Sequence, residues 1–251
     1  MKNNLAIPIA IVIAGIIIGG ALYFGNKNNT PSNQAQISPS NTDQSPKPSG
    51  ISDKDHVLGN PDAGISMFVY SDLQCPYCKI FHATLKQVIE DYVKNGKIKI
   101  IFRHFPLSSI HPNAEKLAEG SECAAEIGGE TKFWDFMDKI VELDTTDPLE
   151  AAKGISLDKN KFEECINSGK YAEKVENDFN SGTNAGVQGT PASIIVKNDK
   201  VIPIYGAMPY LETDPSLYQA LSQEPGLKDI LCNDSDQSCG IKIAIDKILA
   251  E

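Results

Sequence analysis

Hydrophobic positions fall into three regimes along this chain. Leu5 to Phe24 is an apolar run of twenty residues without a charge. As a helix it would span about 30 Å, the thickness of a bilayer core. Asn26 to Ser52 is the opposite, rich in Asn, Ser, Pro, Gln and Thr with almost no large apolar residue. It cannot bury a core and reads as a flexible tether, with a reach on the order of 30 Å.

Beyond the tether the apolar positions become periodic. Ile65–Tyr70 reads as a buried strand. From Lys79 to Lys94, Ile80, Leu85, Val88, Ile89 and Tyr92 recur at helical spacing, and Asn95-Gly96 supplies a left-handed stop. Lys97–Arg103 alternates and then runs apolar, a second strand. Strand, helix, strand predicts a βαβ unit with a right-handed crossover and a parallel pair.

From Asn113 to about Ala185 the spacing is helical. Ala114, Leu117, Ala118, Ala124, Ala125 and Ile127 make one apolar set. Phe133, Trp134, Phe136, Met137, Ile140 and Val141 make a second, with Thr131 as its candidate cap and the core as its expected place. Leu157, Phe162, Cys165 and Ile166 belong to a third, and Tyr171, Val175 and Phe179 to a fourth. Such a block packs on itself, so it reads as a helical insertion. Ala192–Val196, the polar turn Lys197–Lys200 and Val201–Tyr205 predict a hairpin, with Pro203 on an edge strand. Pro215–Gln223 reads as helix, and the chain ends in a short amphipathic helix carrying Ile241, Ile245, Ile248 and Leu249.

Charge narrows the function. The net charge is −10 and Arg103 is the only arginine among 251 residues. Nucleic acid is therefore not an expected partner, because phosphate neutralisation needs a basic surface. Lys2 precedes the apolar run and Lys27 follows it. Gly19-Gly20-Ala21 is small enough for cleavage, but Leu22-Tyr23-Phe24 prolongs the run, so an uncleaved anchor is expected rather than a signal peptide. No cysteine lies near it, so lipoprotein processing is not expected. The remainder would face outward, the basic end staying inside.

Six cysteines carry the candidate chemistry. Cys75-Pro76-Tyr77-Cys78 falls where the first strand turns into the helix. Free N–H groups and the helix dipole there favour a thiolate, the reactive form of cysteine. Thiol–disulfide exchange follows, and it needs no cofactor beyond the two thiols. A zinc half-site is the rival, since Cys78 and His82 stand at i,i+4. A structural zinc wants four ligands and no second CxxC exists, so no metal is expected. An inert structural disulfide is the other alternative. The remaining four cysteines allow three pairings. Cys123–Cys165 and Cys232–Cys239 are favoured, with buried free thiols the alternative. Loop closure would contribute roughly 4 kcal/mol for the long loop and about 2.5 kcal/mol for the short one. The histidines read as structural: His56 ahead of the domain, His82 on an exposed helix face, His104 at a strand end and His111 before a proline turn.

Strand, CPYC, helix, strand, helical insertion, hairpin and helix, in that order, resemble a thioredoxin fold carrying the helical insertion of the DsbA family. The chain is most similar to the membrane-anchored DsbA-like oxidoreductases of bacteria. The resemblance runs from Val57 to about Ser222. It rests on Gly59-Asn60-Pro61-Asp62-Ala63, on Ser71-Asp72-Leu73-Gln74 ahead of the CPYC motif, and on Arg103-His104-Phe105-Pro106-Leu107. His111-Pro112-Asn113-Ala114, Lys132-Phe133-Trp134 and Gly186-Val187-Gln188-Gly189-Thr190-Pro191 complete it. The implied class is α/β: a thioredoxin fold with an inserted helical domain, preceded by one N-terminal transmembrane helix. The expected layout is an anchor or signal segment over 1–25, a linker over 26–52, the DsbA-like domain over 53–231 with its insertion at about 107–185, and a C-terminal extension over 232–251.

The resemblance also implies roles. Cys75 is the exposed nucleophile that forms the mixed disulfide, and Cys78 is the buried partner that resolves it. Pro76 and Tyr77 tune the thiolate. Pro191 is a cis-proline, and Thr190 and Pro191 offer backbone to an extended substrate. Two departures stand out. Val69 occupies the place of a buried acid, so proton transfer at Cys78 needs water or another group. Asp72 and Glu126 are the candidates, although Asp72 fits a loop cap better. Ser193-Ile194-Ile195 replaces the aromatic pair that often follows the cis-proline. The expected activity is disulfide donation to reduced secreted proteins, with a quinone-linked membrane oxidase restoring the disulfide. Isomerisation, reduction and a tethered non-catalytic peptide-binding module are the alternatives.

Overall fold

The computed structural model describes residues 47–251. The apolar run Leu5–Phe24 and most of the tether lie outside the described residues. Among those described, no helix is long and apolar enough to cross a membrane. They divide into two compact units, 47–210 and 211–251.

The first unit is built on a sheet of order β1-β3-β2-β4-β5. Its strands are β1 (His56–Leu58), β2 (Ile65–Ser71), β3 (Ile98–His104), β4 (Ala192–Lys197) and β5 (Lys200–Tyr205). β2 lies at the centre, parallel to β3 and antiparallel to β4. Both its faces are covered, so it reads as a near-continuous apolar run: Ile65, Met67, Phe68, Val69 and Tyr70 are all buried. β5 is an edge and holds Pro203, where a missing N–H costs least. β1 escapes a sequence reading because three residues show no period. His56 therefore does not precede the domain; it sits in a strand and is buried.

Helix α1 (Pro76–Val88) crosses between β2 and β3 and widens into a π turn at Ile89–Val93. Gly96, at φ +68°, ends it. The insertion comprises α2 (Ala114–Gly128), α3 (Glu130–Leu143), α4 (Pro148–Gly154), α5 (Lys159–Ser168) and α6 (Ala172–Asn184). Gly129, not Thr131, occupies the start of α3. Asp147 and Asp158 cap α4 and α5 by accepting from Leu149 and Lys161 N–H groups. Phe133, Phe136, Ile140 and Phe162 have no exposed surface. A disulfide joins Cys123 of α2 to Cys165 of α5. α6 approaches the sheet through Gly182, where a Cβ would stand 2.6 Å from Phe105.

Arg103 fastens the start of this unit. It is 3% exposed, and its guanidinium holds Asp55 through both carboxylate oxygens at 2.8 and 3.1 Å. It also donates to Ser49 Oγ, to the Gly50 carbonyl and to Ser181 Oγ. Pro48 is buried beside them in sequence. The last residues of the tether, 47–52, thus belong to the folded unit.

The second unit takes in residues 211–231, which the sequence pattern leaves with the first. It contains α7 (Pro215–Leu221), α8 (Pro225–Leu231) and α9 (Ile241–Ala250). Cys232 and Cys239 form a disulfide within it. Glu212 and Cys239 exchange both backbone hydrogen bonds, at 2.7 and 2.8 Å. Lys247 Nζ donates to the carbonyls of Asp229 and Cys232, which ties α9 to the end of α8.

Candidate active site

β2 delivers the chain to Ser71, and the next residues turn it into α1. Asp72 shapes that turn. Its Oδ1 accepts from the N–H groups of Gln74 (2.8 Å) and Cys75 (3.2 Å). Its Oδ2 accepts from Leu107 N–H (2.9 Å) and from His111 Nδ1 (2.7 Å). Asp72 is thus a cap that also binds a loop 35 residues away. Cys75 then occupies the N-cap of α1, with Pro76 as the first helical residue. This is the place where unpaired N–H groups concentrate.

The second half of the site comes from β4. Ala192 pairs with Tyr70, so the residues just before β4 arrive beside the end of β2. These are Thr190 and Pro191, joined by a cis bond. The Thr190 carbonyl accepts from Cys75 Sγ at 3.6 Å. Cys75 is consequently 3% exposed rather than an open thiol, a correction to the sequence reading. Pro76 is exposed and Tyr77 half-buried.

The two thiols are driven apart in character. A hydrogen bond from the Cys78 thiol is the main reason that Cys75 is pulled from 9.0 down to about 6. Burial opposes the shift. The N–H groups of Cys78 and Tyr77 assist it, as does Thr190, whose buried hydroxyl meets no hydrogen-bond partner among the described residues. Burial pushes the Cys78 thiol up, and its bond to Cys75 adds to the rise. The Ser71 hydroxyl and the Asp72 N–H, 3.4 Å from Cys78 Sγ, partly offset this. Such a pair makes one ready nucleophile and one that keeps its proton.

A cleft of about 320 Å³ reaches Cys78, lined by Leu85, Phe102, Trp134 and Met137 among others. It has room for several waters. His82 and Asp138 share its rim and are bonded at 2.6 Å. His82 is therefore half-buried and paired, not on an exposed face. Val69 is fully buried, in register with Phe102 and Ser193. Glu126 is not brought to the cysteines: it bonds Lys170 and Tyr171 near Cys165.

A second polar centre lies under β1 and β3. His56 gives Nε2 to Glu122 (3.0 Å) and Nδ1 to Glu130 (2.8 Å). His104 Nε2 meets the other oxygen of Glu122 at 2.9 Å. His104, Glu122 and Asp178 have the spacing of a metal site. The Lys174 ammonium, 2.6 Å from Asp178 and 3.7 Å from Glu122, already supplies positive charge there. Burial alone would lower His56, but its bonds to Glu122 and Glu130 raise it from 6.5 to about 9. A raised histidine stabilises the fold fully below its unfolded value and loses that effect as pH climbs through the folded one. The stability of the first unit should therefore decline between about pH 6.5 and pH 9. His56→Gln should lower stability by roughly 3 kcal/mol at neutral pH and flatten the slope. Denaturant midpoints at several pH values test it; a His56→Gln protein with the same slope would place the titration elsewhere.

Residues 52–207 match the thioredoxin family. Among curated proteins, the chain is 25% identical to the probable disulfide bond formation protein D of Bacillus cereus, across 83% of this chain and 95% of that one. It is 31% identical to a Na(+)/H(+) antiporter NhaA of Salinispora tropica, across 57% of this chain. The chain spans only 22% of that antiporter's length. Solved structures with the same fold include oxidised BdbD from Bacillus subtilis, at 26% identity and a TM-score of 0.53, covering 63% of this chain and 88% of that one. Another is α-DsbA1 from Wolbachia pipientis, at 25% identity and a TM-score of 0.55, covering 72% and 95%. A cysteine pair at the head of α1, a cis-proline loop facing it and a helical insertion between β3 and β4 are what this chain sets beside those neighbours: it belongs to the thioredoxin family, among members of the DsbA type.

Proposed function

We propose that the protein is an extracytoplasmic thiol–disulfide oxidoreductase that introduces disulfide bonds into secreted proteins. The observation that carries this reading is the asymmetry of Cys75 and Cys78. In the oxidised enzyme a substrate thiolate attacks Cys75 Sγ, and the Cys75–Cys78 bond breaks, leaving Cys78 as the departing thiolate. A second substrate thiolate then attacks the substrate sulfur of the mixed disulfide. The substrate gains a disulfide, and Cys75 leaves as a thiolate with two electrons added to the enzyme pair. A leaving group at about 6 departs readily. The Thr190–Pro191 loop beside Cys75 offers backbone to the extended substrate. Ile80 and Ile110, 59% and 68% exposed near the cysteine turn, suit an unfolded chain.

Disulfide donation is favoured over reduction because the folded dithiol is stabilised by its thiolate. At neutral pH a thiol at about 6 rather than 9.0 favours the reduced pair by about tenfold, roughly 30 mV. The reading includes a membrane anchor at Leu5–Phe24 and re-oxidation by a quinone-linked oxidase. The two disulfides outside the site support an oxidising compartment. Equilibration with glutathione, together with the thiolate absorbance of the reduced protein, tests the direction. The expected midpoint is near 6, with the dithiol favoured. A midpoint near 9.0 with a persistently oxidised pair would make the protein a poor donor and overturn the reading.

A further inference from the structure

Asp72 touches both cysteines and a distant loop at once. Its N–H donates to Cys78 Sγ, and its Oδ1 accepts from Cys75 N–H. Its Oδ2 faces Leu107 and His111. The carboxylate has no exposed surface. A buried carboxylate stays charged only when donors saturate it. Three of the four donors are backbone N–H groups. The fourth is His111 Nδ1, on the turn that Leu107 closes by accepting from Ile110 and His111 N–H groups. The negative charge this holds in place lies three residues from the thiol that must itself become an anion. Like charges repel, so the distribution of charge on Asp72 bears directly on Cys75.

We propose that His111 is a positioning residue for the exchange reaction: by donating to Asp72 Oδ2 it draws the carboxylate's charge toward the 107–111 loop and away from Cys75, and so keeps the Cys75 sulfur reactive. The inference rests on Cys75 being the attacked and attacking sulfur, as proposed above. Asp72 both caps the cysteine turn and opposes the thiolate, and His111 separates the two effects. The cap survives on Oδ1 while the charge is answered on Oδ2.

The test is a double-mutant cycle read by thiolate absorbance of the reduced full chain across pH, and by its glutathione equilibrium. His111→Ala should raise the Cys75 midpoint by about half a pH unit or more and shift the pair at least about threefold toward disulfide. His111→Asn, whose amide stands near the Nδ1 position, should restore most of the loss. Asp72→Asn should move the midpoint the other way, because the opposing charge is gone. In the Asp72→Asn background, His111→Ala should move nothing. A purely structural His111 would shift both backgrounds alike, and that result overturns the proposal. So does an unmoved midpoint in His111→Ala. If His111→Ala does not fold, His111→Gln carries the same comparison, since its longer side chain misplaces the amide. A wild type without exchange activity whose midpoints still move as stated would sink the functional reading, and with it the role of His111 in exchange, leaving only the electrostatic coupling of His111 to Cys75. Unmoved midpoints with wild-type exchange intact would sink this one alone.

Discussion

Cys75→Ser should abolish thiol–disulfide exchange, whereas Cys78→Ser should leave substrate covalently attached. The asymmetry follows from where the two sulfurs stand. Cys75 sits at the head of α1, beside the Thr190 carbonyl, with its thiol pulled down to about 6. Replacing it removes the sulfur through which any mixed disulfide must form. Cys78 cannot substitute, because desolvation and its bond to Cys75 hold its proton in place. Replacing Cys78 leaves a Cys75 thiolate that still joins a substrate disulfide, and the adduct then lacks the enzyme sulfur that would attack Cys75 and free the substrate, so it persists wherever no second substrate thiol is at hand. The measurement is oxidative refolding of a reduced model protein, with non-reducing gels for the trapped species. A Cys75→Ser protein that refolds substrate at the wild-type rate would end the assignment of the site. A Cys78→Ser protein that releases substrate as fast as the wild type would show that resolution comes from elsewhere.

Arg103→Met should cost the first unit about 3–5 kcal/mol, because it strands a buried carboxylate. Asp55 and Arg103 side chains are each 3% exposed. Burial would raise the Asp55 carboxyl, yet its bonds to Arg103 hold it below the usual carboxylate range. Without the guanidinium, Asp55 keeps its burial and loses its partner. Ser49, Gly50 and Ser181 lose a donor in the same step. Arg103→Lys should recover part of the loss, since an ammonium cannot span Asp55, Ser49 and Gly50 together. Thermal melts should fall by about 10 °C in Arg103→Met. A drop worth under about 1 kcal/mol would put this pair on the footing of an exposed ion pair.

The cysteine turn was legible in the sequence for a physical reason. Strand pattern, CPYC and helix pattern are contiguous, so local periodicity locates the thiols at a helix start. The cis-proline and the insertion were legible only through resemblance, since nothing in Thr190-Pro191 itself distinguishes a cis bond from a trans one. The disulfide partners could be favoured from spacing. Several features had no local signature. β1 is three residues long and is defined by its pairing with β3. The His56–Glu122 and His111–Asp72 contacts join residues 66 and 39 positions apart. Arg103 stood out by rarity, but its partners at 49, 50, 55 and 181 are set by tertiary packing. The burial of Cys75 likewise depends on a loop 115 residues downstream.

β2 and β4 carry the two halves of the site on adjacent strands, paired from Ser66↔Val196 to Tyr70↔Ala192. The gap between the halves is therefore fixed by the backbone ladder, at about 4.8 Å between strands, and not by the side chains that meet across it. Pro76, Tyr77 and Thr190 lie just beyond the ladder's end and contribute none of its hydrogen bonds. Substitutions at these positions therefore change the surroundings of the sulfur while leaving intact the ladder that aligns it with the loop.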